Sequence, residues 1–403
     1  MIEEEIKKIL IEYPTPLFFF DADELRKRTG EIKEILNGGG KNIGLCYSIK
    51  ANPFLIPCLM DVVDNFEVCS PGELSICEHY GVKPDMIIYS GVHKEEEDIT
   101  EAVKYGAGII TAESVRHYEL INSVSSGLKK EVRIILRLSS KSQFGMSLKD
   151  IEDIIKENKG NEYVSIAGLH YFAGTQRTRL KHQREELAML KEVFLELRSK
   201  YEENLPLFEY GPGLAFPYFE DEDRSDTLKP LKELADDLYE AAGFSELTVE
   251  MGRFLASSCG YYITKVCDVK KSYDNNWCIM DGGINHLNYL GQMMGMKTPV
   301  IITLPHKDPK ELNNTSECGE NQTLCGSLCT TNDIVLRSYK GKKLNIGDIL
   351  IFCNTGAYTI TEGLNLFLSR NMPLVLIYRD GIITKVRNET ETWVLNSDSI
   401  NRS

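Results

Sequence analysis

No apolar run in the sequence approaches the roughly 18 residues of a membrane-spanning helix. The clustered lysines and arginines of a nucleic-acid or anionic-lipid surface are missing too, because the 46 basic residues are spread along a chain of formal net charge −14. The eleven cysteines lack paired spacing, so no disulfide framework is expected. No charged, then apolar, then small-residue leader opens the sequence, and a reducing cytoplasm is the expected compartment. Low-complexity linkers are also wanting.

With 403 residues, 42% of them hydrophobic and 26% charged, the chain exceeds the size at which one core is readily built, and two domains are expected. After an amphipathic opening, short runs rich in β-branched and aromatic residues alternate with segments of helical period. The predicted parallel strands are Ile43–Lys50, Phe66–Cys69, Met86–Ser90, Gly108–Glu113, Arg133–Leu138, Ile166–Phe172, Leu207–Gly211 and Leu247–Gly252. Eight βα units predict an α/β fold, a (β/α)8 TIM barrel over residues 25–257. Leu148, Ile151, Ile154 and Ile155 recur at helical spacing, as do Leu187, Leu190, Phe194 and Leu197; both stripes read as helix faces turned to the core.

From about Ser258 strands follow one another without helices. They are Gly260–Val269, Asn276–Asp281, Pro299–Thr303, Ile334–Ser338, Asp348–Cys353, and a last pair, Leu374–Tyr378 and Ile382–Val386, joined at the hairpin dipeptide Asp380-Gly381. An all-β domain over 258–403 is expected, and residues 1–24, with the strand-like Pro16–Asp21, are assigned to it. Pro305–Gln322 is the most loop-like stretch.

In such a barrel the reacting groups gather where strands end. The first strand closes in Tyr47-Ser48-Ile49-Lys50-Ala51-Asn52-Pro53. A lysine at the inner mouth needs either a carboxylate partner or a covalent use such as an imine. Gly211-Pro212-Gly213 is a turn whose small residues let backbone N–H groups approach an anion at a following helix start, although such turns are common. The last barrel strand ends in Glu250-Met251-Gly252-Arg253, a carboxylate and a guanidinium on one rim. Taken together, these groups meet the needs of a phosphorylated pyridine aldehyde: an imine lysine, phosphate donors, and a carboxylate for the ring nitrogen.

At these residues the chain resembles the fold-type III pyridoxal-phosphate decarboxylases, the group of diaminopimelate, ornithine and arginine decarboxylases, from Pro16 to about Pro373. The resemblance implies pyridoxal 5′-phosphate as cofactor and decarboxylation at the α-carbon of an amino acid. It makes Lys50 the Schiff-base lysine, Glu67 an acid close to the cofactor and Glu250 the partner of the pyridine nitrogen. Thr175, Gly213, Arg253 and Tyr358 become phosphate contacts. Cys329, in Cys325-Gly326-Ser327-Leu328-Cys329-Thr330, matches the cysteine that reprotonates the α-carbon from the neighbouring subunit, which implies a homodimer with shared active sites. No metal is expected, since no second Cys/His pair of zinc-like spacing accompanies Cys325 and Cys329.

Several positions depart from the family. Phe172 stands where a histidine usually stacks on the cofactor, and a phenyl ring stacks without that hydrogen bond. Thr330 replaces the acid that binds a distal ammonium in diaminopimelate and ornithine enzymes. Met280–Tyr289 lacks the Arg-Pro used for a distal carboxylate, Gln143 replaces a common lysine, and Pro212 removes a backbone donor. These departures resemble a branch acting on amino acids within larger natural-product intermediates. They imply a substrate with an acylated or tethered distal end, an L-glutamyl unit on an acyl carrier protein being the leading example and free diaminopimelate the alternative. A racemase or epimerase on the same barrel is a rival, disfavoured by Ala51-Asn52-Pro53 and the Cys329 motif. A non-catalytic, partner-binding homologue is disfavoured by retention of Lys50, Glu250, Arg253 and Cys329.

Overall fold

The structure is a computed structural model that describes residues 2–290, 295–306 and 321–398. The chain forms two compact units, one of residues 26–216 and 226–255, the other of residues 1–25, 217–225 and 256–403.

In the sheet unit the first strand is β1 (Leu17–Asp21), and in the barrel unit eight strands follow: β2 (Gly44–Ser48), β3 (Asn65–Val68), β4 (Ile87–Tyr89), β5 (Ile109–Ala112), β6 (Val132–Arg137), β7 (Val164–Phe172), β8 (Leu207–Gly211) and β9 (Glu246–Met251). Each pairs in parallel with the next, and β9 closes on β2 with Gly44 opposite Thr248. Near-continuous aliphatic runs such as Ile87-Ile88-Tyr89 form these strands because both faces are buried. Cys46, Ile88, Ile135 and Ala167 fill the barrel interior with Ile109 and Leu207 against them. On the outer layer, Ile151, Ile154 and Ile155, and likewise Leu187, Leu190, Phe194 and Leu197, turn their stripes inward. Phe194 meets Phe208 at 5.3 Å and Phe244 at 5.7 Å between ring centroids; each buried ring stabilises the unit by about 1.5–3 kcal/mol. Helix starts are fixed locally, with the Ser70, Ser114 and Ser147 hydroxyls accepting from the backbone N–H three residues on.

Two sequence expectations need correction here. The first barrel strand stops at Ser48, and Lys50 belongs to the 3-10 turn Ile49–Ala51. Pro53 confines Asn52 to extended backbone, at φ −168° and ψ 101°, so the chain turns before the proline instead of running straight into it. No helix starts after Gly211-Pro212-Gly213; the next one is Lys229–Phe244, and an anion there would meet loop amides.

The sheet unit continues with β10 (Gly260–Ser272), β11 (Asn275–Met280), β12 (Ile301–Leu304), β13 (Gln322–Cys325), β14 (Ile334–Tyr339), β15 (Ile349–Cys353), β16 (Leu374–Arg379) and β17 (Ile382–Arg387). Its order is β14-β13-β11-β10-β1-β16-β17, with β15 pairing β10 and β12. Strand β1 runs antiparallel to β10 and parallel to β16, and Phe19 packs in a core with Ile263, Ile351 and Leu376. The Asp380-Gly381 turn has φ of 52° and 80°, the doubly left-handed geometry that suits a tight hairpin. Strand β13 had no counterpart in the sequence reading; most of Pro305–Gln322 lies outside the described residues, and Gln322 opens β13. Residues 217–225, expected within the barrel span, belong to the sheet unit: Glu220 N donates to Thr298 O at 2.9 Å, and Lys297 pairs with Glu222 at 2.9 Å.

Candidate active site

The C-terminal mouth of the barrel gathers titratable groups from opposite strands. The 3-10 turn after β2 directs the Lys50 ammonium to Glu67 of β3, with Nζ 2.8 Å from Oε2. Nζ also lies 3.5 Å from the Cys69 sulfur and 3.6 Å from Glu250 Oε1, at the end of β9. Glu250 is held from two sides: the Ser48 hydroxyl donates to Oε1 at 2.6 Å, and His170 Nε2 of β7 is 3.5 Å from Oε2. Both carboxylates are buried. For Glu250, burial alone would raise the pKa, but the Lys50 charge and the His170 contact outweigh it and hold the carboxyl well below the usual range. Burial and the charge of Glu250 push Glu67 the other way, against the pull of Lys50. Two buried carboxyls pushed in opposite directions therefore flank the amine. Burial also pushes the Cys69 thiol well up, so it stays protonated.

Beside this cluster Gly211 packs against Phe172 and Glu250. A Cβ at Gly211 would fall 2.4 Å from the Phe172 ring and 3.2 Å from Glu250 Oε2. The Phe172 ring and the Glu250 carboxylate therefore both close on Gly211, where no side chain would fit. Gly213, at φ +59°, approaches the loop after β7 so closely that a Cβ would sit 1.7 Å from Gly174 O. Thr175 is exposed on that loop, and Gln176 clamps the two loops together: its Nε2 donates to Phe216 O at 2.9 Å and its Oε1 accepts from Phe216 N at 2.8 Å. Gln183 Nε2 donates to Pro212 O at 3.0 Å. Arg253 opens the short helix Arg253–Ala256. That turn is steadied by Arg28, whose Nε and Nη2 donate to Phe254 O at 3.0 and 2.8 Å.

Lys50, Glu67, Phe172, Thr175, Gly213, Glu250 and Arg253 thus all belong to the barrel unit. Cys329 and Tyr358 stand on loops of the sheet unit. Cys329 is exposed on the β13–β14 turn; Tyr358, at φ 65°, accepts from Thr361 N and Glu362 N through its carbonyl. Sequence reasoning passed over Ser48, His170, Glu209 and Glu73, the last of which accepts from Cys69 N at 2.6 Å. An acid inside an apolar strand, as Glu209 is in Leu207–Gly211, was the available signal. Among the described residues no set of three His, Cys, Asp or Glu side chains has metal-holding geometry, and no described helix is long and apolar enough to cross a membrane.

An amine between carboxylates, a phenyl ring beside one of them and a close-packed glycine turn suit a flat phosphorylated aldehyde, and they define the class of barrel enzymes that depend on pyridoxal phosphate. The family described as pyridoxal-dependent decarboxylase, pyridoxal binding domain, matches residues 22–257, more than half of the chain. The protein belongs to that family: it is a decarboxylase, and pyridoxal phosphate is its cofactor.

Full-length relatives agree. The L-glutamyl-[BtrI acyl-carrier protein] decarboxylase of Niallia circulans is 25% identical over 412 residues, covering 96% of this chain and 94% of its own. The diaminopimelate decarboxylase of Aquifex aeolicus is 23% identical, covering 88% and 84%. The 2-[(L-alanin-3-ylcarbamoyl)methyl]-2-hydroxybutanedioate decarboxylase of Staphylococcus aureus is 24% identical, covering 85% and 89%. Among solved structures, the diaminopimelate decarboxylase of Methanocaldococcus jannaschii shares the fold, with a TM-score of 0.84 at 22% identity over 98% of this chain and 94% of that one.

Proposed function

We propose that this chain decarboxylates an amino acid whose distal end is acylated or tethered, with an L-glutamyl thioester on an acyl carrier protein as the leading example, in a cytoplasmic biosynthetic pathway. The observation that carries this reading is the state of the one acid on the Cys329 turn. Asp333 is buried, and both its oxygens are taken by backbone, Oδ1 accepting from Ile284 N at 3.0 Å and Oδ2 from Leu328 N at 2.7 Å. Thr330 offers only a hydroxyl, so the turn presents no carboxylate to a distal ammonium, whose desolvation would go uncompensated. The segment Met280–Tyr289 offers no cation to a distal carboxylate either. Its His286 is bound to Tyr262 Oη at 3.0 Å and Asn371 O at 3.1 Å, and burial pushes it down to about 4, leaving it neutral. The relatives named for a carrier-bound glutamyl group and for an acylated alanine support this reading by analogy. The described cysteines are all free, which supports a reducing compartment.

When bound, pyridoxal phosphate supplies the electron sink for the pair of electrons left on the α-carbon as CO₂ departs. Lys50 would hold the cofactor covalently between substrates, and Glu67, 2.8 Å from its amine, would pair with the ammonium whenever the amine is free. Glu250, fixed by Ser48, provides the anion that keeps the ring nitrogen protonated. Phe172 would lie against the cofactor ring, and Thr175, Gly213, Arg253 and Tyr358 would be the residues that hold its phosphate. In a homodimer with shared sites, Cys329 of the partner subunit delivers the proton to the α-carbon.

The test is to incubate the protein with free diaminopimelate, ornithine and glutamyl carrier protein and to follow loss of CO₂ mass. Turnover of the carrier-bound substrate alone is expected. Turnover of diaminopimelate alone would refute the proposal.

A further inference from the structure

Three carboxyls, Glu67, Glu209 and Glu250, project into a barrel that places one lysine among them. Lys50 serves Glu67 and Glu250 at 2.8 and 3.6 Å. Glu209 is served by nothing comparable: it is 2% exposed, its oxygens meet no nitrogen or oxygen donor among the described residues, and its hydrogen-bonding neighbour is the Cys46 thiol, a weak donor. On β8 it sits opposite His170 of β7 and Thr248 of β9. Glu250 lies two residues beyond Thr248, hence on the same inward face.

We propose that Glu209 is a positioning residue: it carries the proton of the barrel interior, and by doing so leaves Glu250 as the anion that faces the cofactor's ring nitrogen.

Groups that share a low-dielectric space titrate as a set, and the proton settles on the member whose ionised form is least supported. Every other member has support. Glu250 has a hydroxyl, an ammonium and an imidazole; Glu67 has the ammonium. The groups facing Glu209 are the Cys46 thiol of β2, His170 of β7, Glu250, Glu67 and Lys50, and burial followed by the charges of Glu250 and Glu67 pushes its carboxyl well up. Were Glu209 to ionise, a second anion in the same space would draw a proton onto Glu250 and cost the ring nitrogen its partner. Glu209 therefore acts through Glu250 without touching the cofactor. This inference rests on the reading of Glu250 as the ring-nitrogen partner.

Infrared spectroscopy of the cofactor-free wild type and of Glu209→Gln at neutral pH reads the proton directly. The carbonyl stretch of an un-ionised carboxylic acid, sensitive to deuterium exchange, is expected in the wild type and absent from the variant; Glu209→Met serves in its place if the amide does not fold. In protein loaded with pyridoxal phosphate isotope-labelled at the ring nitrogen, the wild-type nitrogen resonance should move to its deprotonated position as the carbonyl band fades at alkaline pH. In Glu209→Gln that transition should shift upward by one pH unit or more, a tenfold change in proton affinity. A wild type without the carbonyl band, or a band that survives in both variants, overturns the proposal. A nitrogen transition unmoved in Glu209→Gln overturns the coupling to Glu250. If Glu250→Gln leaves the nitrogen resonance as in the wild type, the reading of Glu250 fails, whatever the cofactor-free infrared result.

Discussion

Replacing Asp333 by alanine tests how the turn that presents Cys329 and Thr330 is held. The wild-type carboxylate accepts two backbone N–H groups, from Ile284 at 3.0 Å and Leu328 at 2.7 Å, and is 2% exposed. Hydrogen bonds to a charged acceptor contribute about 1.5–3 kcal/mol each, and a buried donor left without a partner carries its full desolvation cost. Alanine removes both acceptors at once, so the expected loss is about 3–6 kcal/mol. Asp333→Asn is the control: its carbonyl oxygen can keep one of the two amides while its NH₂ opposes the other, for a loss of about 1–3 kcal/mol. Chemical denaturation gives the global figures, and hydrogen exchange at the Ile284 and Leu328 amides locates them. Protection at these two amides should drop in both variants, and further in alanine. If Asp333→Ala loses less than about 1 kcal/mol and both amides keep their protection, the turn is held by something else, and the argument that Asp333 is unavailable to substrate collapses with it.

Lys50→Ala should abolish the visible absorbance of the protein-bound cofactor; it should also destabilise the cofactor-free protein at neutral pH by less than the 3–5 kcal/mol typical of breaking a buried pair, because the amine is 37% exposed. A cofactor spectrum unchanged in this variant would contradict the assignment. Gly213→Ala puts a Cβ 1.7 Å from Gly174 O at φ +59°, and should weaken pyridoxal phosphate binding at least about tenfold, a 1.4 kcal/mol effect, as read by cofactor titration; unaltered affinity would remove Gly213 from the phosphate site. The depressed pKa of Glu250 means that its stabilisation is present above the unfolded carboxylate value of about 4.3 and is lost as pH falls through the folded value. Glu250→Gln should therefore flatten part of the acid limb of the stability curve, and an identical limb in wild type and variant would show that Glu250 is not held ionised.

How far the fold was legible follows from how each element buries itself. Barrel strands are buried on both faces, so Ile87–Tyr89 and Ile109–Ala112 announce themselves as apolar runs. Strand β13 does not: Gln322–Cys325 has four residues, alternately buried and half-buried, and it pairs with its neighbour β14 and with β11, the latter distant in sequence. The site divides the same way. Lys50, Glu250 and Gly213 stand beside strand ends, where a barrel must put its chemistry, and their residue types are unusual there. Glu209 and Asp333 gave no such signal, because an acid's meaning depends on what surrounds it. Glu209 keeps its proton because burial and the charges of Glu250 and Glu67 outweigh the pull of Lys50, whereas both oxygens of Asp333 are claimed by backbone amides, one of them 49 residues away in sequence. Partners that distant are fixed only by folding, which is why the cofactor and the replacement of the distal acid by Thr330 could be read from the chain, while the engagement of Asp333 had to be read from the turn.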